Sequence, residues 1–296
     1  MLSKISGLLK YCYEDNACDK LPDINLQLFL IMVKSLMPFE DNIGCMFDLL
    51  RYEKEIEIFK CYKNGHDDNL EYYYDNKKPS EKDDELLEFK IIPVIVANTQ
   101  WDILINETLK ASFFYSTNKT VILNTIILSS AINEYLSNEN YMESINEVTK
   151  ERIINFSLKD FLYNNNINLS KSSLIEFEKE RIKFLSRNEF FTNELIEKYK
   201  LLNFIFNVRE VENYIADNET VLSSFSLYLF KLRKGIINPE KLKIPQYNTL
   251  EIKEFLKYSS FSHPLLGRCK VIKRGVKEVI LKNKSGLIKV NIWKFY

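Results

Sequence analysis

Val121-Ile122-Leu123-Asn124-Thr125-Ile126-Ile127-Leu128-Ser129-Ser130-Ala131-Ile132-Asn133-Glu134-Tyr135-Leu136 is the stretch on which the fold class turns. Ile122, Ile126, Leu128, Ile132 and Leu136 recur at helical spacing, and the remaining faces are also largely apolar. A second stretch, residues 26–36, repeats the pattern with Leu28, Phe29, Met32, Val33 and Leu36. Glu134 and Lys34 interrupt the two runs, and both fall short of the roughly 20 apolar residues a membrane span needs. They read as core helices wrapped by other helices, with no membrane partner expected. Pro22 and Asp23 precede residues 26–36 as helix-start signals, and residues 117–120 offer capping groups ahead of residues 121–136.

Outward from these two stretches, helical periodicity runs over residues 43–62, 101–114, 174–185, 188–206, 220–232 and 250–258. Residues 63–88 hold nine acids, four lysines and the triplet Tyr72-Tyr73-Tyr74 without sustained apolar spacing, which predicts an exposed acidic loop. Residues 163–173, rich in Asn and Ser, predict a second loop. From Gly267 the pattern becomes β-branched, with Val271, Val279, Ile280, Ile288, Val290 and Ile292 separated at Arg274-Gly275 and Asn283-Lys284-Ser285-Gly286. The expected fold is mostly α: a compact multi-helix domain over residues 1–260, and a small basic antiparallel β meander over residues 261–296 packed on it.

The composition excludes several function classes. With seven glycines among 296 residues, no Gly-x-Gly pair and no Gly-Lys-Ser/Thr, the two commonest nucleotide-cradling loops are absent. Five cysteines at irregular spacing, without a Cys-x-x-Cys pair and with only two histidines, give no zinc pattern. Reduced thiols and an N-terminus without a signal-length apolar run lead to a cytoplasmic expectation. Net charge is zero, yet unevenly distributed. Residues 231–296 carry 16 Lys/Arg against 4 Asp/Glu, leaving 25 against 37 in residues 1–230. A split of this kind speaks to partners rather than to fold.

Four groups of residues have a chemistry to offer. The C-terminal strands present Lys273, Arg274, Lys282, Lys284 and Lys289 with Trp293 among them, a pattern suited to a nucleic acid or an acidic protein. An amphipathic sheet with a lysine-rich solvent face produces the same pattern. Asp15, Asp19 and Asp23 form a carboxylate cluster of the kind that binds hard cations, although a solvated polar turn is the simpler reading. His66-Asp67-Asp68 is the one adjacent His and carboxylate group, and it reads as part of the solvated loop. His263, near Ser260, Ser262 and Cys269, has no nucleophile elbow around it and reads as structural.

The order of features over residues 5–136 resembles the ADP-ribosylglycohydrolase family. In that all-α family an N-terminal helix leads to Gly-Asp-Ala-Leu-Gly, and Thr-Asp-Asp-Thr then opens a very apolar helix. Here Ile5-Ser6-Gly7-Leu8-Leu9 is followed by Asp15-Asn16-Ala17-Cys18-Asp19, and Pro22-Asp23-Ile24-Asn25 opens residues 26–36. Phe89-Lys90-Ile91-Ile92-Pro93 is similar to the family's Met-Arg-x-x-Pro, and Ser116-Thr117-Asn118-Lys119-Thr120 to its Thr-His turn. The resemblance implies a helical scaffold and ADP-ribose chemistry at a magnesium centre. Of the metal-binding tetrad only Asp23 remains, the late Asp-x-Asp-Thr is absent, and Glu85-Leu86 stands at the Asn-Gly of the substrate loop. The expectation is therefore a catalytically degenerate relative, a pseudoenzyme without a cofactor, that binds an ADP-ribose-like ligand, a protein or nucleic acid. Two alternatives stand beside it: an active ADP-ribosyl hydrolase using Mg²⁺ at Asp15, Asp19 and Asp23, and a nucleic-acid-binding protein using the basic C-terminal sheet.

Overall fold

In a computed structural model, residues 1–13, 21–187, 189–207, 220–238 and 251–292 are described. Three apolar helices form the centre: α2 (Ile24–Lys34), α5 (Leu87–Ala97) and α7 (Lys119–Ser137). Every residue of α5 is buried, as is every residue of α7 from Val121 to Leu136. The near-continuous apolar surface explains this, because a helix apolar on all sides is stable only when wrapped. Around the centre lie α1 (Leu2–Cys12), α3 (Leu49–Tyr62), α4 (Asp68–Asn76), α6 (Trp101–Phe113), α8 (Tyr141–Asn155) and α9 (Leu158–Asn164). Then follow α10 (Lys171–Leu185), α11 (Asn193–Lys198), α12 (Lys200–Asn207), α13 (Val221–Arg233) and the single turn α14 (Ile252–Phe255). Among the described residues, no helix is long and apolar enough to cross a membrane.

Helix α5 is held by polar groups at three levels. Pro93 removes the amide that would bond the Phe89 carbonyl one turn back. The buried Tyr13 hydroxyl donates to that carbonyl instead, at 3.0 Å. At the C-terminal end the buried Arg233 guanidinium of α13 donates to the carbonyls of Val96 (3.2 Å) and Asn98, placing a cation on the negative end of the helix. Near the first turn Glu88 accepts the Lys200 and Leu201 amides at 3.1 and 2.9 Å, capping α12. Burial pushes the Glu88 carboxyl up to about 7.

The segment over residues 63–88 differs from the expected exposed loop. Asp67 caps α4 by accepting the Leu70 amide at 3.0 Å, and Leu70, Tyr73 and Tyr74 turn inward. Tyrosine carries this burial because its ring packs while its hydroxyl finds a partner, here Tyr74 to the Ile56 carbonyl at 3.0 Å. A hydropathy pattern that counts tyrosine as weakly apolar misses it. Asp84 is buried as well, 2.7 and 2.8 Å from the Lys90 ammonium in α5, while Asp67 reaches the same ammonium at 2.6 Å. Other boundaries also move. A hairpin of β1 (Leu36–Pro38) and β2 (Cys45–Phe47) occupies the start of the expected helix over 43–62. The expected helix over 188–206 is broken into α11 and α12 at Tyr199.

The C-terminal part forms a four-stranded antiparallel sheet in the order β3 (Ser260–His263), β4 (Gly267–Arg274), β5 (Glu278–Asn283) and β6 (Gly286–Asn291). The three β-branched segments read from the sequence are β4, β5 and β6, and β3 adds a fourth strand ahead of them. Cys269, Val279, Leu281, Ile288 and Val290 are buried on one face, and β6 packs on α3. Asn283 and Gly286 pair at the β5–β6 turn, where Gly286 takes φ +109°, backbone that favours glycine.

Candidate polyanion-binding face

The candidate site is the solvent face of this sheet. Residues directly paired across antiparallel strands share a face, and like charges directly opposite one another are unfavourable. Lys270 of β4 pairs with Lys282 of β5, which in turn pairs with Leu287 of β6. The next row sets Lys273 opposite Ile280 and Ile280 opposite Lys289. A bulge between Val271 and Lys273 creates this arrangement. Plain alternation would put Lys270, Ile272 and Arg274 on one face, but the extra residue moves Lys273 outward and Arg274 onto the row of Val279.

The residues named from the sequence therefore separate. Lys273 and Lys282 are exposed on the outer face, and Lys289 joins them with Glu278 3.5 Å away. Lys284 is exposed in the turn at one end. Arg274 is directed elsewhere: its guanidinium donates to the Leu256 carbonyl and, at 2.8 Å, to that of Tyr258, tying β4 to α14 and the turn after it. Trp293 lies outside the described residues. Lys270, which the sequence reading omitted, sits at the centre of the face with no ion-pair partner among the described residues. Its signal was available as the exposed partner of Lys282, but only once strand register is known. Exposed Ile272 and Val276 lie beside the lysines.

The carboxylate cluster is placed only in part. Asp15 and Asp19 lie outside the described residues. Asp23 caps α2, its Oδ1 accepting the Leu26 amide at 2.9 Å. The Pro22 carbonyl accepts from Asn64 at 2.9 Å, and the Ile24 side chain packs against Gly65. Asp23, occupied as a helix cap and flanked by proline and isoleucine, which have no side-chain oxygen, does not by itself fit a hard cation. Among the described residues, no three His, Cys, Asp or Glu side chains form a group able to hold a metal.

The two histidine candidates are accounted for locally. His66 contacts Asp68 at 2.6 Å on the surface, while Asp67 between them turns inward to Lys90. His263 is buried, and its Nδ1 accepts the Leu265 and Leu266 amides at 3.2 and 3.4 Å, with Phe255 5.0 Å from the ring. Burial raises the Cys269 thiol to about 11, far from a thiolate nucleophile at neutral pH. No protein-family model, curated protein or solved structure matches this chain.

Proposed function

We propose that this chain acts by binding rather than by catalysis, holding the phosphate backbone of a nucleic acid on the outer face of its C-terminal sheet. The observation that carries the reading is Lys270 directly opposite Lys282, with Lys273 and Lys289 in the next row. Like charges directly opposite one another lower stability in the isolated fold, and a polyanion reduces that penalty. The apolar neighbours Ile272, Ile280 and Leu287 give bases a surface to lie on. The likeness to ADP-ribosylglycohydrolases belongs to the same proposal, as a scaffold whose metal tetrad is reduced to Asp23.

Four lysine–phosphate contacts predict a slope of log affinity against log salt of about −2.8 for single strands and about −3.6 for duplex. Between 50 and 200 mM salt, binding should weaken about 50-fold or about 150-fold respectively, read by fluorescence anisotropy with a labelled oligonucleotide. Lys270→Gln with Lys282→Gln should halve the slope, whereas Arg274→Gln should leave it unchanged and lower stability. Unchanged affinity after all four lysines are neutralised would refute the proposal. A Mg²⁺-dependent thermal stabilisation by ADP-ribose would favour the hydrolase alternative instead.

A further inference from the structure

Away from the sheet, α6, α8 and α9 enclose an open cleft of about 600 Å³, within the range that small ligands occupy. Arg152 of α8 lines it, with its guanidinium carbon 4.1 Å from the centre of the Trp101 ring. Nη1 is fixed by the Ser130 carbonyl at 3.1 Å and hydroxyl at 3.2 Å, and that hydroxyl is itself 2.8 Å from Thr149 Oγ1. The guanidinium is thus stacked and oriented, yet among the described residues it has no carboxylate within ion-pair distance. Nε and Nη2 likewise have no protein acceptor among the described residues.

A guanidinium held flat in this way presents a two-pronged edge that matches a carboxylate. The same cleft carries three acids, Asp102, Glu151 and Asp160, all exposed. They oppose a simple anion and suit an ammonium. Ile105, Val148 and Phe156 give the same cleft an apolar wall.

We propose that this cleft is a binding site for an apolar zwitterion, a free α-amino acid or a short peptide, with its carboxylate on Arg152 and its ammonium among Asp102, Glu151 and Asp160. The apolar side chain rests on Ile105, Val148 and Phe156. The site is independent of the basic sheet, so either can fail without the other.

The test is a thermal-shift titration of the whole chain with leucine, phenylalanine and the dipeptide Leu-Leu. 3-Methylbutylamine and 4-methylpentanoic acid serve as half-ligands that keep only one charge. Zwitterion at about 100 times its dissociation constant should raise Tm by a few degrees, and each half-ligand should bind at least about tenfold more weakly. The ratio of amino-acid to dipeptide affinity distinguishes the two sources of the same chemistry. Arg152→Gln should weaken zwitterion binding about 10- to 100-fold. Arg152→Lys, which keeps the charge without the fork, serves if that variant does not fold. The combined variant Asp102→Asn, Glu151→Gln and Asp160→Asn, on exposed positions, should weaken 3-methylbutylamine and the zwitterions relative to 4-methylpentanoic acid, whose own binding should tighten. No shift with any zwitterion, equal binding of 4-methylpentanoic acid and leucine, or unchanged affinity in both the arginine and the acid variants would each overturn the proposal.

Discussion

Replacing Lys90 with methionine should destabilise the protein by about 3–5 kcal/mol at pH 7, because it leaves two carboxylates buried without their cation. Lys90 is fully buried, 2.6 Å from Asp67 and 2.7 Å from Asp84, and the two carboxylate side chains are each 2% exposed. The ammonium also lies 3.9 Å from the Tyr115 ring centre. Two acids sharing one cation leave a net negative charge, and burial accordingly holds the Asp84 carboxyl above its ordinary range despite Lys90. For Lys90, burial pushes the pKa down, but Asp67 and Asp84 outweigh it and the net shift is upward. The stability that Lys90 contributes is therefore fully present below its unfolded pKa and is lost only as alkaline pH passes its folded value.

Without the cation, the Asp84 carboxyl loses the partner that lowers its pKa and becomes still harder to ionise, so the damage in Lys90→Met should grow from pH 5 to pH 8 as folding has to compete with deprotonation. Urea unfolding followed by circular dichroism reads it directly: at an m-value of about 3 kcal/mol/M the midpoint falls by about 1–1.7 M. Adding Asp67→Asn and Asp84→Asn should recover most of the loss, since asparagine still accepts the Leu70 and Leu86 amides without a buried charge. A single variant within about 1 kcal/mol of the parent, or a triple variant weaker than the single one, would refute the assignment of stability to this ionic cluster.

The same logic extends to two other polar groups around α5. Glu88 has its carboxyl raised from 4.5 to about 7, chiefly by burial, so its favourable protonation is complete below the unfolded value and is lost as pH rises through about 7. Between pH 4.5 and 8 the parent should lose about 3 kcal/mol relative to Glu88→Gln, measured as the difference of their urea midpoints; parallel curves would dismiss it. Tyr13→Phe should cost about 1–3 kcal/mol, because it leaves the Phe89 carbonyl opposite Pro93 without a donor in a dry core. Thermal melts of Tyr13→Phe beside a fully exposed control such as Tyr163→Phe would check this, and equal melting points would contradict it.

The helical centre is legible from the chain because its signal is local. A run such as residues 121–136 is apolar on all faces of a helix, and only burial between other helices can accommodate it, whatever the neighbours are. The Asp23 cap and the hairpin at Asn283–Gly286 are likewise short-range, set by residues within one turn of each other. The α4 segment escapes such a reading because its acids owe their burial to Lys90, which is distant in sequence from Asp67 and reaches it only when α4 and α5 pack together.

The candidate face shows the same division at closer range. Lysine enrichment and β-branched spacing in residues 267–291 announce a basic sheet. Which lysines share a face depends on the bulge between Val271 and Lys273, where one additional residue reverses the side of everything after it. Composition thus determined that a helical core and a basic sheet would form. Strand register and helix packing decided that Lys270 and Lys273 stand beside Lys282 while Arg274 is withdrawn to the carbonyls of Leu256 and Tyr258, because pairing between strands is a non-local choice that alternation along one strand does not encode.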